Sequence, residues 1–400
     1  MKPIAILIAA SLSLASPAFA GVIKVEPGVN AQERLQTALL DAKAGDTVDI
    51  AAGRYDLTDG LSLDVPNVTV KGAGRDATIL SFKAQKGAGE GLLVTSNDVI
   101  LRDFAVEDTR GDGIKSKGVV RIVFVDLRVE WTGAPSPKNG AYGIYPVAST
   151  DVLIDRVFVK GAADAGIYVG QSKNIIVRNS VARGNVAGIE IENSFNADVY
   201  SNLSVHNTGG ILIFDLPNLP QQGGHSIRVF SNRVEKNDQA NFAAEGATVA
   251  QVPVGTGVMV MANHDVHVFA NALGENATAN VFVVAYKQPF TDPKYNPLPR
   301  NIVIRNNMHG RAGWQPGFKG GKELAAAMGG TIAPVFWDGV GGPEADIHVD
   351  DNVPVLTLGL ATPLTPVSEG KIGLIDLSKT VVPVMPAAVV LPAAMEAAVR

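Results

Sequence analysis

The words "DAGIYVGQS" (164–172), "VAGIEIENS" (186–194) and "TGGILIFDL" (208–216) repeat one pattern, a glycine followed by alternating apolar residues. The glycine recurs along the chain at Gly113, Gly143, Gly166, Gly188, Gly210 and Gly257. Alternation with a period of two predicts strands. Short strands that recur about every 22 residues predict a solenoid, in which coils stack about 4.8 Å apart. The pattern therefore predicts an all-β fold, a parallel β-helix with one strand per sheet in each coil.

A second repeat follows the first, in words such as "NIIVRNS" (174–180) and "SIRVFSN" (226–232). Its aligned asparagines are Asn179, Asn202, Asn232, Asn271 and Asn306. Stacked amides can satisfy backbone groups at a bend inside the solenoid. We therefore expect an internal asparagine ladder with a structural role.

The ends of the chain depart from the repeat. Residues 1–20 have Lys2, an apolar run and small residues before Gly21, which predicts a signal peptide cleaved after Ala20 and a periplasmic or secreted protein. The segment from Asn30 to about Gly45 predicts a capped amphipathic helix that covers the first coil. We expect the β-helix to occupy 21–355 and a tail or cap to occupy 356–400.

Composition excludes several classes of function. The chain has no cysteine, so it has neither disulfides nor thiolate ligands. A formal net charge of −5 argues against a nucleic-acid partner, which would favour a basic face. No segment after the first 20 residues is long and apolar enough to span a membrane.

The order of cap helix, short strands and coils resembles the right-handed parallel β-helix proteins of the pectate-lyase superfamily. A narrower likeness, in "GIYPV" (143–147) and "GTGVMVMAN" (255–263), is to an exported bacterial β-helix repeat family without an assigned reaction. The resemblance implies a right-handed fold. It does not imply a particular reaction, because lyases, hydrolases, epimerases and adhesins share this fold.

Residues between the buried apolar positions are predicted to face solvent in two columns. The first column is Lys115, Tyr145, Tyr168, Glu190, Leu212 and Met259, and the second is Lys117, Val147, Gly170, Glu192, Phe214 and Met261. Gln171, Asn193 and Asp215 follow at the strand ends. This wall suits an extended polymer, so the expected partner is a polysaccharide.

The leading hypothesis is a uronate lyase or C5-epimerase. One of Tyr145 and Tyr168 would act as the base and the other as the acid, and Lys115 would neutralise charge or depress a tyrosine pKa. Glu190, Glu192 and Asp215 are the predicted ligands of a possible Ca²⁺.

Two alternatives stay open. Glu190 and Glu192 could be the carboxyl pair of an inverting glycoside hydrolase. The solenoid could instead bind a glycan or protein partner without catalysis, through the apolar end of the face around Phe214 and Met261. The predicted substrate contacts are Glu192, Gln171, Asn193, Phe214, Asp215 and His225. The long loops 215–224 and 287–300 are expected to roof this groove.

Overall fold

The computed structural model describes residues 20–87, 89–379 and 381–400. The predicted signal peptide therefore lies outside the described residues, apart from Ala20. In the described part, each repeat adds one strand to each of three sheets, and the strands of successive coils pair in parallel and in register.

All the strands are short, two to six residues, because a turn or loop follows each of them. Sheet 1 contains Val22–Val25, Thr47–Ile50, Thr69–Gly72, Val99–Arg102, Val120–Val125, Thr150–Asp155, Lys173–Arg178, Phe195–Tyr200, His225–Phe230, His264–Phe269, Arg300–Arg305 and Ile347–Asp350. Sheet 2 contains Gly53–Asp56, Thr78–Ser81, Ala105–Glu107, Arg128–Glu130, Phe158–Lys160, Val181–Arg183, Leu203–Val205, Arg233–Glu235, Ala272–Gly274 and Met308–His309. Sheet 3 contains Leu61–Leu63, Leu92–Val94, Ile114–Lys117, Tyr142–Val147, Ala165–Gly170, Ala187–Glu192, Gly209–Phe214, Thr256–Met261, Ala279–Val284, Val335–Trp337, Val355–Thr357 and the antiparallel Gly373–Ile375.

In the described part of the chain the helices are few and short. The α-helices are α1 (Ala31–Asp41), α2 (Gly321–Ala327) and α3 (Ala393–Ala397), and the 3₁₀ helices are Thr248–Gln251, Gly342–Ala345 and Val367–Glu369. None of the helices in the described residues has the length and apolarity needed to cross a membrane.

The interior is filled by the apolar residues that flank each outward position. Ile167, Ile189, Ile211 and Val258 are fully buried and stack from coil to coil. Each such side chain contributes roughly 1.5–3 kcal/mol by leaving water. The predicted parallel β-helix is confirmed.

Helix α1 covers the first coil, as predicted, with Leu35 and Leu39 buried against it. The predicted side-chain cap is wrong, because Asn30 has a left-handed backbone (φ 57°) and its side chain makes no capping hydrogen bond.

The asparagine ladder exists but differs from the prediction at both ends. Its members are Asn202, Asn232, Asn271 and Asn307, whose side-chain amides donate to one another at 2.9–3.0 Å. Asn179 and Asn306 instead occupy left-handed turn positions, with φ of 52° and 56°, which asparagine tolerates. A second buried ladder, Asn185–Asn207–Asn237–Asn276, was not predicted.

The C-terminal tail runs back along the outside of sheet 1. Leu391, Met395 and Val399 pack on an apolar cluster formed by Val123, Val125, Leu153 and Ile176. Glu396 forms an ion pair with Arg178 at 2.8 Å. The last residues of the tail thus cover an apolar stripe of sheet 1, while Gly373–Ile375 pairs with Val355–Thr357 at the end of sheet 3.

Candidate functional site

The outward residues of sheet 3 align from coil to coil as the sequence predicts. Lys115 pairs with Tyr145, Tyr168 with Glu190, and Glu190 with Leu212. Gly170, Glu192 and Phe214 are aligned in the neighbouring column. Register pairing therefore brings the predicted lysine, tyrosine and carboxyl groups onto one wall.

The expectation that this whole wall faces solvent is wrong. Tyr168, Glu190, Glu192, Phe214 and Asp215 are buried, with Glu190 only 1% exposed. Long insertions cover the upper coils, because side chains from 242–252, 285–298 and 318–340 join the apolar cluster of Leu212, Phe214, Met259 and Met261. Buried residues cannot touch a polymer in this conformation, and the apolar end of the face is not an exposed contact surface.

The predicted roof is present. Tyr295 donates from its hydroxyl to the backbone oxygen of Asp215 at 2.6 Å, and Asp292 accepts hydrogen bonds from Gln222 and from the backbone of Asn218. A cavity of about 160 Å³ remains beneath the insertions, lined mainly by apolar residues such as Phe214 and also by polar side chains such as Gln251 and Lys287.

Asn193 and Asp215 hold this roof in place. Asn193 donates to the backbone oxygens of Leu216 and Gln221, both at 2.9 Å. Asp215 accepts from the backbone of Gly223 and Gly224 at 3.1 and 2.8 Å. Their structural contacts account for their burial without any substrate.

Two other predicted contacts lie apart from the tyrosines. His225 begins a strand of sheet 1, where it stacks between Phe195 and His264. The prediction that His225 lies in the groove is wrong, because His225 belongs to a strand of sheet 1 and the groove lies on sheet 3. Gln171 lies in the turn after the Tyr168 strand and is partly exposed.

The open part of the wall is a tyrosine ledge, which we define as Tyr142, Tyr145, Lys115, Asp112 and Asp164. All five residues are partly exposed. The Tyr142 and Tyr145 ring centroids are 4.4 Å apart, and Tyr168 lies behind them, 4.4 and 5.0 Å away respectively. The ledge therefore presents aromatic rings and carboxyl groups at one accessible place.

Gly170 explains how Tyr168 reaches its partner. A Cβ at Gly170 would lie 2.4–2.7 Å from the Tyr168 ring, so only glycine lets the ring lie across the strand. In that position the Tyr168 hydroxyl donates to Glu192 Oε1 at 2.7 Å.

Burial raises the pKa of the carboxyl groups at and behind the ledge. Burial, assisted by the charge of Glu192, raises the pKa of Asp164 to about 7, although a hydrogen bond from Tyr142 opposes the shift. Burial also raises the pKa of Glu192 to about 7. Glu190 lies two residues from Glu192 on the same strand, and its pKa is raised well above its usual value by burial and by the charges of Asp164 and Glu192.

The tyrosines are shifted in the direction opposite to that of a base. Burial raises the pKa of Tyr145, and the nearby charge of Lys115 only partly offsets it. Burial raises the pKa of Tyr168 further. Lys115 is occupied, because its Nζ donates to Glu90 at 2.9 Å and to Asp112 at 3.3 Å and lies 4.7 Å from the Tyr145 ring centroid.

The carboxyl groups proposed for Ca²⁺ do not form an open ligand set. Glu192 accepts from Tyr168, Asp215 accepts from two backbone amides, and Glu190 holds a proton next to Glu192. Among the described residues, no group of three or more histidine, aspartate and glutamate side chains is placed to hold a metal ion. A Ca²⁺ requirement stays a prediction.

Sequence reasoning missed Tyr142, Asp112 and Asp164. Each of them stands just before the glycine that marks the repeat, in "DG" (112–113), "YG" (142–143) and "DAG" (164–166). The alternation of the strands identifies only the positions after the glycine. The available signal was an aspartate or tyrosine that recurs one or two residues before the glycine.

Residues 67–218 match the family model of the right handed beta helix region. The chain is a right-handed parallel β-helix. This match confirms the fold that the resemblance to right-handed parallel β-helix proteins implied. No curated protein sequence matches this chain.

Solved structures with the same fold are distant in sequence. The A-module of mannuronan C-5 epimerase AlgE4 from Azotobacter vinelandii is 14% identical, with 85% of this chain and 95% of the module covered and a TM-score of 0.55. DFA-IIIase from Arthrobacter chlorophenolicus A6, without its lid, is 11% identical, with 74% and 90% covered and a TM-score of 0.51. The catalytic unit of the GH87 α-1,3-glucanase from Streptomyces thermodiastaticus strain HF3-3 is 17% identical, with 85% and 54% covered and a TM-score of 0.50. At these identities the likeness shows the fold alone.

Proposed function

We propose that this β-helix binds a polysaccharide at the tyrosine ledge and processes it by acid–base chemistry. The observation that carries the proposal is the accessible pairing of the Tyr142 and Tyr145 rings with Asp164, whose pKa is about 7. Aromatic rings pack against the apolar faces of sugars, and carboxyl groups bind their hydroxyls. A group that titrates near neutral pH suits proton transfer.

The fold supports the same class of substrate. The epimerase module and the α-1,3-glucanase named above have names that state action on a polysaccharide, and both share this architecture. The open ledge spans three successive coils of sheet 3, so it has length along the stack, as a polymer site requires.

A uronate lyase or epimerase was the leading hypothesis from the sequence. The position of Lys115 over the Tyr145 ring favours it. The raised pKa of Tyr145 and the two ion pairs of Lys115 weigh against it, because a base must lose its proton and a uronate needs a free cation.

The pair Glu190 and Glu192 suits hydrolysis poorly. Inverting enzymes hold a water between carboxyl groups about 6.5–9.5 Å apart. Glu190 and Glu192 are instead both buried, at 1% and 7% exposure, which leaves no room for a sugar and a water between them. A hydrolytic reaction would therefore need other carboxyl groups on this wall.

We place this function in the periplasm or outside the cell, on the strength of the predicted signal peptide. N-terminal sequencing of protein recovered from the periplasmic fraction tests that placement. A mature chain that begins at Gly21 is expected, and an intact N-terminus on cytoplasmic protein would contradict it.

A panel of alginate, pectate, glucans, xylan and fructans tests the function itself. Binding is measured by calorimetry, and products by reducing-end and unsaturated-uronate assays, with added Ca²⁺ and with EDTA. We expect at least one polymer to bind and to be converted. Binding without conversion would favour the non-catalytic alternative, in which the ledge serves a glycan or protein partner, and no binding would contradict the proposal.

A further inference from the structure

Two accessible carboxyl groups lie on either side of Tyr142. Asp112 lies one coil below at the level of Tyr142, since Ile114 pairs with Ile144. Asp164 lies one coil above, beside Ala165, which pairs with Tyr142. Their backbones are therefore two rungs, about 10 Å, apart. Both side chains are partly exposed.

The surroundings of the two groups differ. Burial raises the pKa of Asp112, and the charge of Lys115, whose Nζ lies 3.3 Å from Asp112 Oδ2, partly offsets that shift. Among the described residues, no cation offsets the burial of Asp164, and the charges of Glu192 and Asp112 favour its protonated form. Burial raises the pKa of both groups, but only Asp112 has a cation that favours its ionised form, which makes Asp112 the better base and Asp164 the better acid.

A buried carboxylate oxygen without a hydrogen-bond partner lies near Asp164. Glu190 Oε2 is buried and has no hydrogen-bond partner among the described residues. Its carboxyl group interacts with both Asp164 and Glu192. A polar atom left unsatisfied in this way is costly, and such atoms concentrate where a protein performs a task other than folding.

We propose that Asp164 and Asp112 are the catalytic acid and base of a hydrolytic reaction on an uncharged polysaccharide, held on the Tyr142 ring between them. This inference rests on the proposed function. Asp164 gives its proton to the glycosidic oxygen as the bond from that oxygen to the anomeric carbon breaks. Asp112 takes a proton from water, whose oxygen forms the new bond to the same carbon.

The spacing selects the stereochemistry. Inverting enzymes separate their carboxyl groups by about 6.5–9.5 Å, and retaining enzymes by about 5–5.5 Å. The backbones of Asp112 and Asp164 are about 10 Å apart, which is nearer to the wider interval and leaves room for water beside the sugar.

The charge of the ledge selects an uncharged sugar. Its one lysine, Lys115, is already bonded to Glu90 and Asp112. Asp164 and Glu192 add further negative charge as pH rises through about 7. A polyuronate would meet repulsion here, whereas hydroxyl groups would find acceptors.

The test compares Asp164→Asn and Asp112→Asn with Asp151→Asn, which lies on sheet 1 of the same coil as Tyr142. The probes are a soluble glucan, xylan, a fructan and alginate. We expect an uncharged polymer to bind wild type and both ledge variants within about threefold. Reducing-end release should fall at least about 100-fold in the ledge variants alone, and proton NMR of the first wild-type product should show the inverted anomer.

The pH profile of wild type gives a measurement that needs no variant to fold. The rate should decline above about pH 7, because Asp164 then loses the proton it must donate. Hydrolysis that persists in both variants, or an unsaturated product from alginate, would overturn this inference while leaving the polysaccharide function in place. Binding without turnover would also overturn it, and no binding to any probe would overturn both proposals.

Discussion

At the scale of single residues, burial determines the chemistry of the wall. Glu190 alternates with Ile189 and Ile191 in a strand whose every residue is buried, so its carboxyl group has little access to water. Removing an ionised carboxyl group from water is costly, and the group keeps its proton instead.

This burial predicts how stability depends on pH. The folded state holds protons on Glu190, Glu192 and Asp164 that the unfolded state releases above about pH 4–4.5, so the free energy of unfolding should fall as pH rises towards 7. Glu190→Gln removes one such proton, and should reduce the slope by up to about 1.4 kcal/mol per pH unit.

Urea denaturation between pH 5 and 8 measures this slope. Glu245→Gln, at an exposed position, is the matched control and should keep the wild-type slope. Equal slopes in Glu190→Gln and wild type would contradict the assignment of a retained proton to Glu190.

Single residues also mark the limit of sequence reasoning. The column of Tyr145, Tyr168 and Glu190 was predictable, because strand alternation and a constant repeat fix the register. Their burial was not, since it depends on side chains from insertions such as 285–298, which have no repeat. His225 was misplaced for a related reason. The loop 215–224 connects a strand of sheet 3 to a strand of sheet 1, and the sequence of the loop does not show that the chain passes to another sheet.

At the scale of elements, the ladders connect the coils. Asn232 accepts from the backbone and the side chain of Asn202, both at 3.0 Å, and donates to the backbone oxygen of Val199 at 2.8 Å. The repeat predicted this ladder, but one residue too early at both ends: Ser180, not Asn179, precedes Asn202, and Asn307, not Asn306, follows Asn271. Only strand pairing identifies which residue of each turn points inward.

Asn232→Ala should therefore destabilise the solenoid. It leaves buried backbone and side-chain groups of Asn202 and Val199 unsatisfied, at a cost of about 2–4 kcal/mol in the free energy of unfolding. Chemical denaturation checks this value against Gln239→Ala, whose side chain bonds only to the adjacent residue and should change stability by less than about 0.5 kcal/mol. A loss as small as that of the control would contradict the ladder.

At the scale of the whole molecule, the C-terminal tail covers the outer face of sheet 1. Removal of residues 389–400 should expose Val123, Leu153 and Ile176 and eliminate the Glu396–Arg178 pair. We expect a lower melting temperature and increased binding of a hydrophobic dye, because exposed apolar patches are unfavourable in water.

The tyrosine ledge lies on sheet 3, so the same truncation should leave polysaccharide binding unchanged. The substitution Glu396→Gln, which removes only the ion pair, should lower stability much less than the truncation. An unaltered melting temperature without dye binding would contradict the packing of the tail.

The whole molecule was the most predictable level. Gly166, Gly188 and Gly210 repeat at a constant interval, and their hydrophobic neighbours predict the stack without any knowledge of the loops. The site depends on departures from that repeat, namely Asp112, Tyr142 and Asp164 before the glycines. A regular pattern predicts a scaffold better than it predicts what the scaffold carries.

The most direct test of the account is equilibrium binding of the polysaccharide panel to Tyr142→Ala. The account predicts a loss of at least about tenfold in affinity, or about 1.4 kcal/mol, with Tyr142→Phe and the sheet 1 variant Tyr200→Ala close to wild type. Equal affinities in Tyr142→Ala and wild type would contradict the claim that the ledge is the polysaccharide site.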